Sequence, residues 1–407
     1  MSLFLYAYNE DLLARAAERC LHHAAAECPD LTRVVVLVAD GLAAGALRAQ
    51  IGAHAHAQGH PALLGLRILT LRDWIEGGSP DTDPPLSDPA RQLLLVDALR
   101  QHSGLFGEDD PWRIADSLLE LFDELTLHRA ELPEAEPDLA ERLAKGYRIS
   151  GPLPTALSRE AHIVHRLWRA WQEQTAALRR PDPGTHYLHK LHRQHAPHAD
   201  EPFYILVGLQ AHTRAERDWI AARLHAERAE WLVHGNPVPA HTLADRALHD
   251  ILTLSTTHVL PSDTTHPTFL DSVYPCEQAD LRSRAAALAC ASADSPVRGK
   301  LGTLAADSAE QEARAIDLQV RRWLLAGKQR IGIVTEDRRL ARRVRALLER
   351  AGIVLQDAGG WALSTTSAAA CVERWLQSVE EDFAHQPLLD FLKSACACAD
   401  ATRHHPA

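Results

Sequence analysis

The chain has 407 residues, 46% of them hydrophobic and 24% charged, and a formal net charge of −11. Those values are ordinary for a soluble globular protein and leave room for two or three domains around a substantial core. They disfavour a dedicated nucleic-acid-binding domain, which is usually basic, so any DNA contact is expected to be local or shared with a partner. No apolar run approaches the roughly 18 residues that a membrane-spanning helix needs. The N-terminus MSLFLYAYNEDLL has no basic lead-in and reaches Glu10 and Asp11 early, so it does not read as a signal peptide, and the expectation is a cytoplasmic chain with no membrane partner. Seven cysteines stand at 20, 28, 276, 290, 371, 396 and 398, an odd and scattered set that reads as reduced thiols. Cys396-Ala-Cys398 matches no zinc spacing.

The first block alternates strand and helix. Leu3 to Ala7 reads as a short strand, and Asp11 to Cys28 as a helix. Arg33 to Ala39 (RVVVLVA) is a continuous apolar run, the mark of a strand buried on both faces of a parallel sheet. A helix through Leu47 and Ile51 follows, then a strand at Leu66 to Leu69. Thr70-x-x-Asp73 reads as a capping box opening a short helix at Trp74. This βαβαβ pattern predicts an α/β fold with a parallel sheet.

Turn chemistry from Gly77 to Pro89 marks a boundary. Asp88-Pro89 then supplies an N-cap and first-turn proline for a helix through Leu93, Leu94 and Ala98. Pro111 to Ala130 carries Ile114, Leu118, Leu121, Phe122 and Leu125 at helical spacing. Ser158 to Arg179 places Ile163, Leu167, Trp168 and Trp171 on one face. The α/β pattern resumes with a strand at Phe203 to Val207, a capping box Thr213-x-x-Glu216, a helix through Trp219 and Leu224, and a strand at Trp231 to Val233. Residues 235 to 300 read as a Pro/Thr/His-rich linker. Beyond it the pattern predicts strands at Leu301–Leu304, Arg330–Thr335 and Ile353–Leu355, helices at Ala309–Leu325 and Arg338–Ala351, a Gly359-Gly360 turn and a helix from Thr366.

Three tests for chemistry come out negative. A P-loop needs Gly-Lys followed by Ser or Thr between strand and helix, so that backbone N–H groups, the lysine and the hydroxyl gather around phosphates and Mg²⁺. Gly299-Lys300 is followed by Leu301 and Gly327-Lys328 by Gln329, and the first strand–helix turn is Ala7-Tyr-Asn-Glu-Asp11. A Walker B strand ends in acids, but here Tyr204 to Val207 runs into Gly208-Leu209-Gln210. A PD-(D/E)xK nuclease needs an acid two residues before a lysine, and none of Lys145, Lys190, Lys300, Lys328 and Lys393 has one. The Pro-Asp pairs at 29, 80, 137 and 181 therefore read as ordinary turns. No cofactor is implied.

Two clusters invite a functional reading. His186, His189, His192, His195 and His198 recur every three residues, and neighbouring pairs could chelate a metal. Five residues at that spacing cannot share one helical face, so a solvated polar face is the plainer reading. From Lys328 to Arg350 there are eight basic residues against three acidic ones. Arg338, Arg342 and Arg345 share a helical face, with Arg339 and Arg343 beside it, which suits phosphate contact.

The stretch Ala309 to Leu376 resembles the AddB-type subunits of bacterial double-strand-break repair helicase–nucleases. The residues that carry the resemblance are Glu312, Ala313, Val334, Thr335, Asp337, Arg338, Leu340, Ala341, Arg342, Arg343, Val344, Leu348, Gly352, Ile353, Asp357, Gly359 and Leu363; Glu336 stands where that family often has proline. The N-terminal half resembles UvrD-like superfamily 1 helicases by layout. The resemblance implies a RecA-like parallel-sheet domain at 1–85 and 201–260, interrupted by a helical insertion at 86–200. A linker at 261–300, the start of a second RecA-like domain at 301–371 and a helical end at 372–407 would follow. Ala7 to Asp11 would then occupy the P-loop position, Gly208-Leu209 the Walker B position, and Thr70-Leu-Arg72 that of a strand-contacting motif.

The expected function is a non-catalytic, helicase-like portion of a repair or recombination exonuclease subunit. It would bind DNA, single-stranded and shared with a partner, through Arg338, Arg339, Arg342, Arg343, Arg345 and Arg72, and would dock on an AddA-type ATPase. Family members carry a PD-(D/E)xK nuclease at the C-terminus, and here hydrophobic periodicity fades after Lys393, so the chain is expected to be an N-terminal portion. A protein–protein scaffold without a DNA role is the alternative, and a metal-dependent enzyme using the 186–198 histidines ranks last.

Overall fold

In a computed structural model, the chain divides between Arg298 and Gly299 into two compact units. The structure describes residues 2–6, 10–78, 84–101, 110–133, 136–147, 149, 154–178, 180–198, 200–209, 213–235, 257–259, 280–291, 297–357, 359–360, 363 and 366–394. Outside them fall Ala7–Asn9 of the P-loop position, Gln210, most of the expected linker, and Cys276, Cys396 and Cys398.

The apolar runs of the first unit form the expected α/β fold. The strands are β1 (Ser2–Tyr6), β2 (Val34–Val38), β3 (Arg67–Thr70), β4 (Phe203–Val207), β5 (Ala229–His234) and β6 (Thr257–Val259). All pair in parallel, in the order β3-β2-β4-β5-β1-β6. β6 lies in the 235–300 stretch that composition marked as linker, yet within the 201–260 bounds that the resemblance gave the domain, and pairs with Leu3–Leu5 of β1.

Alternation along each strand sends side chains to two cores. Val35 and Leu37, with Leu206 and Trp231, meet α3 (Leu71–Glu76), α8 (Pro183–Arg193) and α9 (Arg214–His225). Val34, Val36 and Val38, with Ile205 and Leu232, meet α1 (Leu12–His23) and α2 (Gly41–Ala57). All five residues of β2 are buried, which is why its sequence is continuously apolar rather than alternating.

Between β3 and β4 the chain is helical: α4 (Asp88–Gln101), α5 (Pro111–Leu127), α6 (Glu136–Gly146) and α7 (Thr155–Ala177) precede α8. α4, α5 and α7 share a separate core in which Phe122 packs on Trp168 and Trp171. α8 instead lies on the sheet: Tyr187 and Leu191 enter the sheet core, and Lys190 Nζ donates to Glu76 O at 2.9 Å. Arg91 of α4, 3% exposed, pairs with Asp182 at 2.8 Å and Asp123 at 2.5 Å, tying α4 and α5 to the N-cap of α8. Helix α10 (Leu281–Ala291) follows β6.

The second unit holds α11 (Ala309–Leu325), α12 (Arg338–Glu349), α13 (Ser367–Glu380) and α14 (His385–Leu392). α11 and α12 share a core of Ala313, Val320, Leu340, Val344 and Leu348. The expected strands Leu301–Leu304, Arg330–Thr335 and Ile353–Leu355 do not form; these segments have no ladder pairing. Ile331, Ile333, Ile353 and Leu355 lean on the two helices, while Val334 is 98% and Val354 92% exposed. Alternation alone does not make a parallel strand, which needs a hydrogen-bonded neighbour and cover on both faces.

Candidate functional site

A parallel sheet gathers the carboxyl ends of its strands on one rim, and ligands of open α/β sheets ordinarily bind there. A nucleotide at such a rim uses free backbone N–H groups at a helix N-terminus. Here those groups have partners within the chain. After β1, Asp11 accepts from Leu13 N at 3.1 Å and Ala14 N at 3.2 Å. After β2, Asp40 accepts from Leu42 N at 2.9 Å and Ala43 N at 3.0 Å. After β3, Thr70 accepts from Asp73 N at 3.1 Å. After β4, Thr213 and Glu216 form a reciprocal capping box, each side chain accepting from the other's N–H at 3.1 Å.

Glu10 stands beside the first of these caps, with its carboxylate 3.2 Å from Arg15 Nε. His234, at the end of β5, meets Glu10 O at 3.0 Å through Nε2. β4 is followed by Gly208, whose φ of +63° suits a residue without a side chain, and then Leu209, so no acid follows the strand directly.

The arginines expected to meet DNA do not form one free patch. Arg72 donates from Nε to Glu76 at 2.9 Å and lies over the Tyr187 ring at 5.2 Å. Arg338 pairs with Asp357 at 3.3 Å and donates to Gly360 O. Arg343 makes a two-pronged pair with Glu310 of α11, both bonds 2.6 Å. Those bonds, with Arg314 adding to them, hold the Glu310 carboxyl at about 2, well below the usual carboxylate range. Arg345 pairs with Glu349 one turn on, at 2.6 Å. Arg339 and Arg342 are exposed, and among the described residues neither has an ion-pair partner. The spacing that placed five arginines on neighbouring faces was right about the helix but could not show the acids that α11 and the 357–360 turn bring to two of them, Arg343 and Arg338.

The histidine series is not assembled into a centre. α8 ends at Arg193, so His195 and His198 lie beyond it, and His189 and His192 are exposed. Among the described residues no three His, Cys, Asp or Glu side chains come together as metal ligands. Asp182, expected as an ordinary turn, is instead a buried partner of Arg91; the Asp182-Pro183 pair, the same signal as Asp88-Pro89, marks it as a helix cap. No helix among the described residues is long and apolar enough to cross a membrane. No family model and no curated protein matches the chain.

Proposed function

We propose that the chain is the helicase-like, non-catalytic portion of a double-strand-break repair subunit of AddB type. On this reading the first unit is a RecA-like domain with a helical insertion and the second begins another. Its role is to hold single-stranded DNA jointly with an AddA-type ATPase partner. The observation that carries the reading is the capped rim: an all-parallel sheet interrupted after β3 by helices, whose nucleotide-facing N–H groups are taken by Asp11, Asp40, Thr70 and Thr213.

Topology supports the helicase alignment. A P-loop and a Walker B strand must reach one nucleotide and its Mg²⁺. β1 and β4, which carry those positions, are separated only by β5, so their ends lie two strand spacings apart, about 10 Å. That spacing is compatible with the alignment, while the residues that would do the chemistry differ.

The DNA arm of the proposal falls on Arg339 and Arg342. Loss of two phosphate contacts should lower the salt slope of single-strand binding by about 1.4, at roughly 0.7 per contact. Titration of labelled single-stranded DNA with the Arg339→Ala/Arg342→Ala chain over a salt series tests this, alone and with the ATPase partner. An unchanged slope and affinity would remove the DNA role. The scaffold reading, favoured by the −11 charge and by the carboxylates on Arg338, Arg343 and Arg345, would then stand.

A further inference from the structure

At the opposite, amino end of β2 and β3 lies a cleft of about 790 Å³, between α2 and the turn segment that leads into β3. That is a ligand-sized space. Arg48, His60 and Arg67 line it, and no carboxylate does, in a chain with 54 acids against 43 lysines and arginines. Arg48 is exposed and, among the described residues, has no ion-pair partner. Arg67 is held in place: its Nη2 donates to Thr32 O at 2.7 Å and its guanidinium lies over the Trp74 ring at 5.0 Å. Arg67 also lines a second cleft, with Asp73, Trp74 and Glu201 on its wall. Asp30, the acid closest in sequence to Thr32, accepts from Thr32 N at 2.9 Å and is not part of the lining.

The rest of the wall suits an organic body. Leu63 and Leu66 are half-buried on it. Gly52, on α2, has nothing within 4 Å of where a Cβ would stand, so this part of the wall is open. A single guanidinium can saturate a carboxylate with two parallel bonds, whereas two guanidiniums match the larger oxygen set of a phosphate.

We propose that this cleft binds the phosphate group of a nucleotide, free or within a nucleic-acid strand, between Arg48 and Arg67, with the sugar or base against Leu63 and Leu66. The assignment does not depend on the repair reading, because it uses neither the carboxyl rim nor the α12 arginines.

The test uses the full chain with two probes, thymidine monophosphate by calorimetry and a fluorescein-labelled oligothymidylate by anisotropy. Arg48→Glu reverses an unpaired charge. Gly52→Leu fills the cleft from a helical position with free space around it. At least one probe should bind the unaltered chain, and each variant should weaken that binding at least tenfold with the thermal midpoint unchanged. Monophosphate binding identifies a free nucleotide as the ligand, and binding of the oligonucleotide alone identifies a strand. Failure of both probes to bind, or binding that survives either correctly folded variant, overturns the assignment. Arg339→Ala/Arg342→Ala should leave monophosphate binding untouched, which separates this site from the proposed DNA contact.

Discussion

Arg91 is the single side chain whose loss should most disturb the helical insertion. It is 3% exposed and meets three carboxylates: Asp182 at 2.8 Å, Asp123 at 2.5 Å and Asp88 at 3.3 Å. Burial pushes the Asp182 carboxyl above its ordinary range, although Arg91 draws it down. Arg91→Met keeps much of the aliphatic bulk but leaves Asp182, 6% exposed, without its cation. Removing one partner of a buried pair costs about 3–5 kcal/mol, and the lower end applies because the Asp123 side chain is 37% exposed. Asp182→Asn should cost less, about 1–2 kcal/mol, since Asn can still cap α8 through Gly184 N and Arg91 keeps two other acids. Urea unfolding at neutral pH, followed by tryptophan emission with Trp168 and Trp171 in the insertion core, measures both. The pH dependence adds a sign. An acid whose folded pKa is raised destabilises the fold once ionised, and that penalty fades as pH falls through the folded pKa. The Arg91→Met deficit should therefore shrink on mild acidification. Equal costs for the two variants, or a loss below about 1 kcal/mol for Arg91→Met, would refute the reasoning.

Glu310 makes the opposite pH prediction. Its folded pKa is depressed to about 2, so its contribution to the α11–α12 contact is present above the ordinary glutamate range and is lost as pH falls towards 2. Glu310→Gln should remove that part of an acid-unfolding curve followed by circular dichroism. Gly65→Ala places a Cβ 2.3 Å from Thr32 Cγ2 at a φ of +68°, and should destabilise by about 1–3 kcal/mol in thermal unfolding. Adding Thr32→Ser, which removes that methyl, should recover part of the loss but not the share due to φ. Asp11→Ala should cost about 1 kcal/mol by uncapping α1 and should confer no ATP binding in a fluorescent-analogue titration.

The sequence foretold elements where local chemistry and tertiary context agree. VVVLV can only be a doubly buried strand in this setting, and Thr213 to Glu216 caps α9 through contacts made within one turn. It misled where the deciding partner is remote. Three residues at Thr257–Val259 carry no pattern of their own; pairing with Leu3–Leu5 makes them a strand. Conversely, IGIVT at 331–335 has the right alternation but lacks a neighbour to pair with among the described residues. Arginine spacing on α12 showed which side chains share a face, but Glu310 lies 33 residues from Arg343 and only the fold brings it there. The Arg48–Arg67 cleft was hidden for the same reason: its walls come from a helix and a turn segment whose closeness no short motif records.

Electrostatics opposes a nucleotide at the capped rim, and a single substitution would not reverse that. At about 5 Å and an effective dielectric near 20, each unit-charge pair is worth roughly 3 kcal/mol. A phosphate dianion set beside Asp11 would thus face about 6–7 kcal/mol of repulsion, most of the 8.2 kcal/mol of a micromolar ligand. Glu10 adds less, because Arg15 faces it at 3.2 Å. Taking away the Asp11 carboxylate lifts the repulsion and frees two N–H groups, but Ala7-Tyr8-Asn9 still offers neither the glycines that let a backbone wrap phosphates nor the lysine that meets them. The cation-lined cleft at the other end of the sheet needs no such reversal: no acid must leave it, and one of its two guanidiniums is already held in position by Thr32 and Trp74. An anion approaching the first unit therefore meets repulsion at the rim where the fold would ordinarily receive it and attraction at the end where it would not.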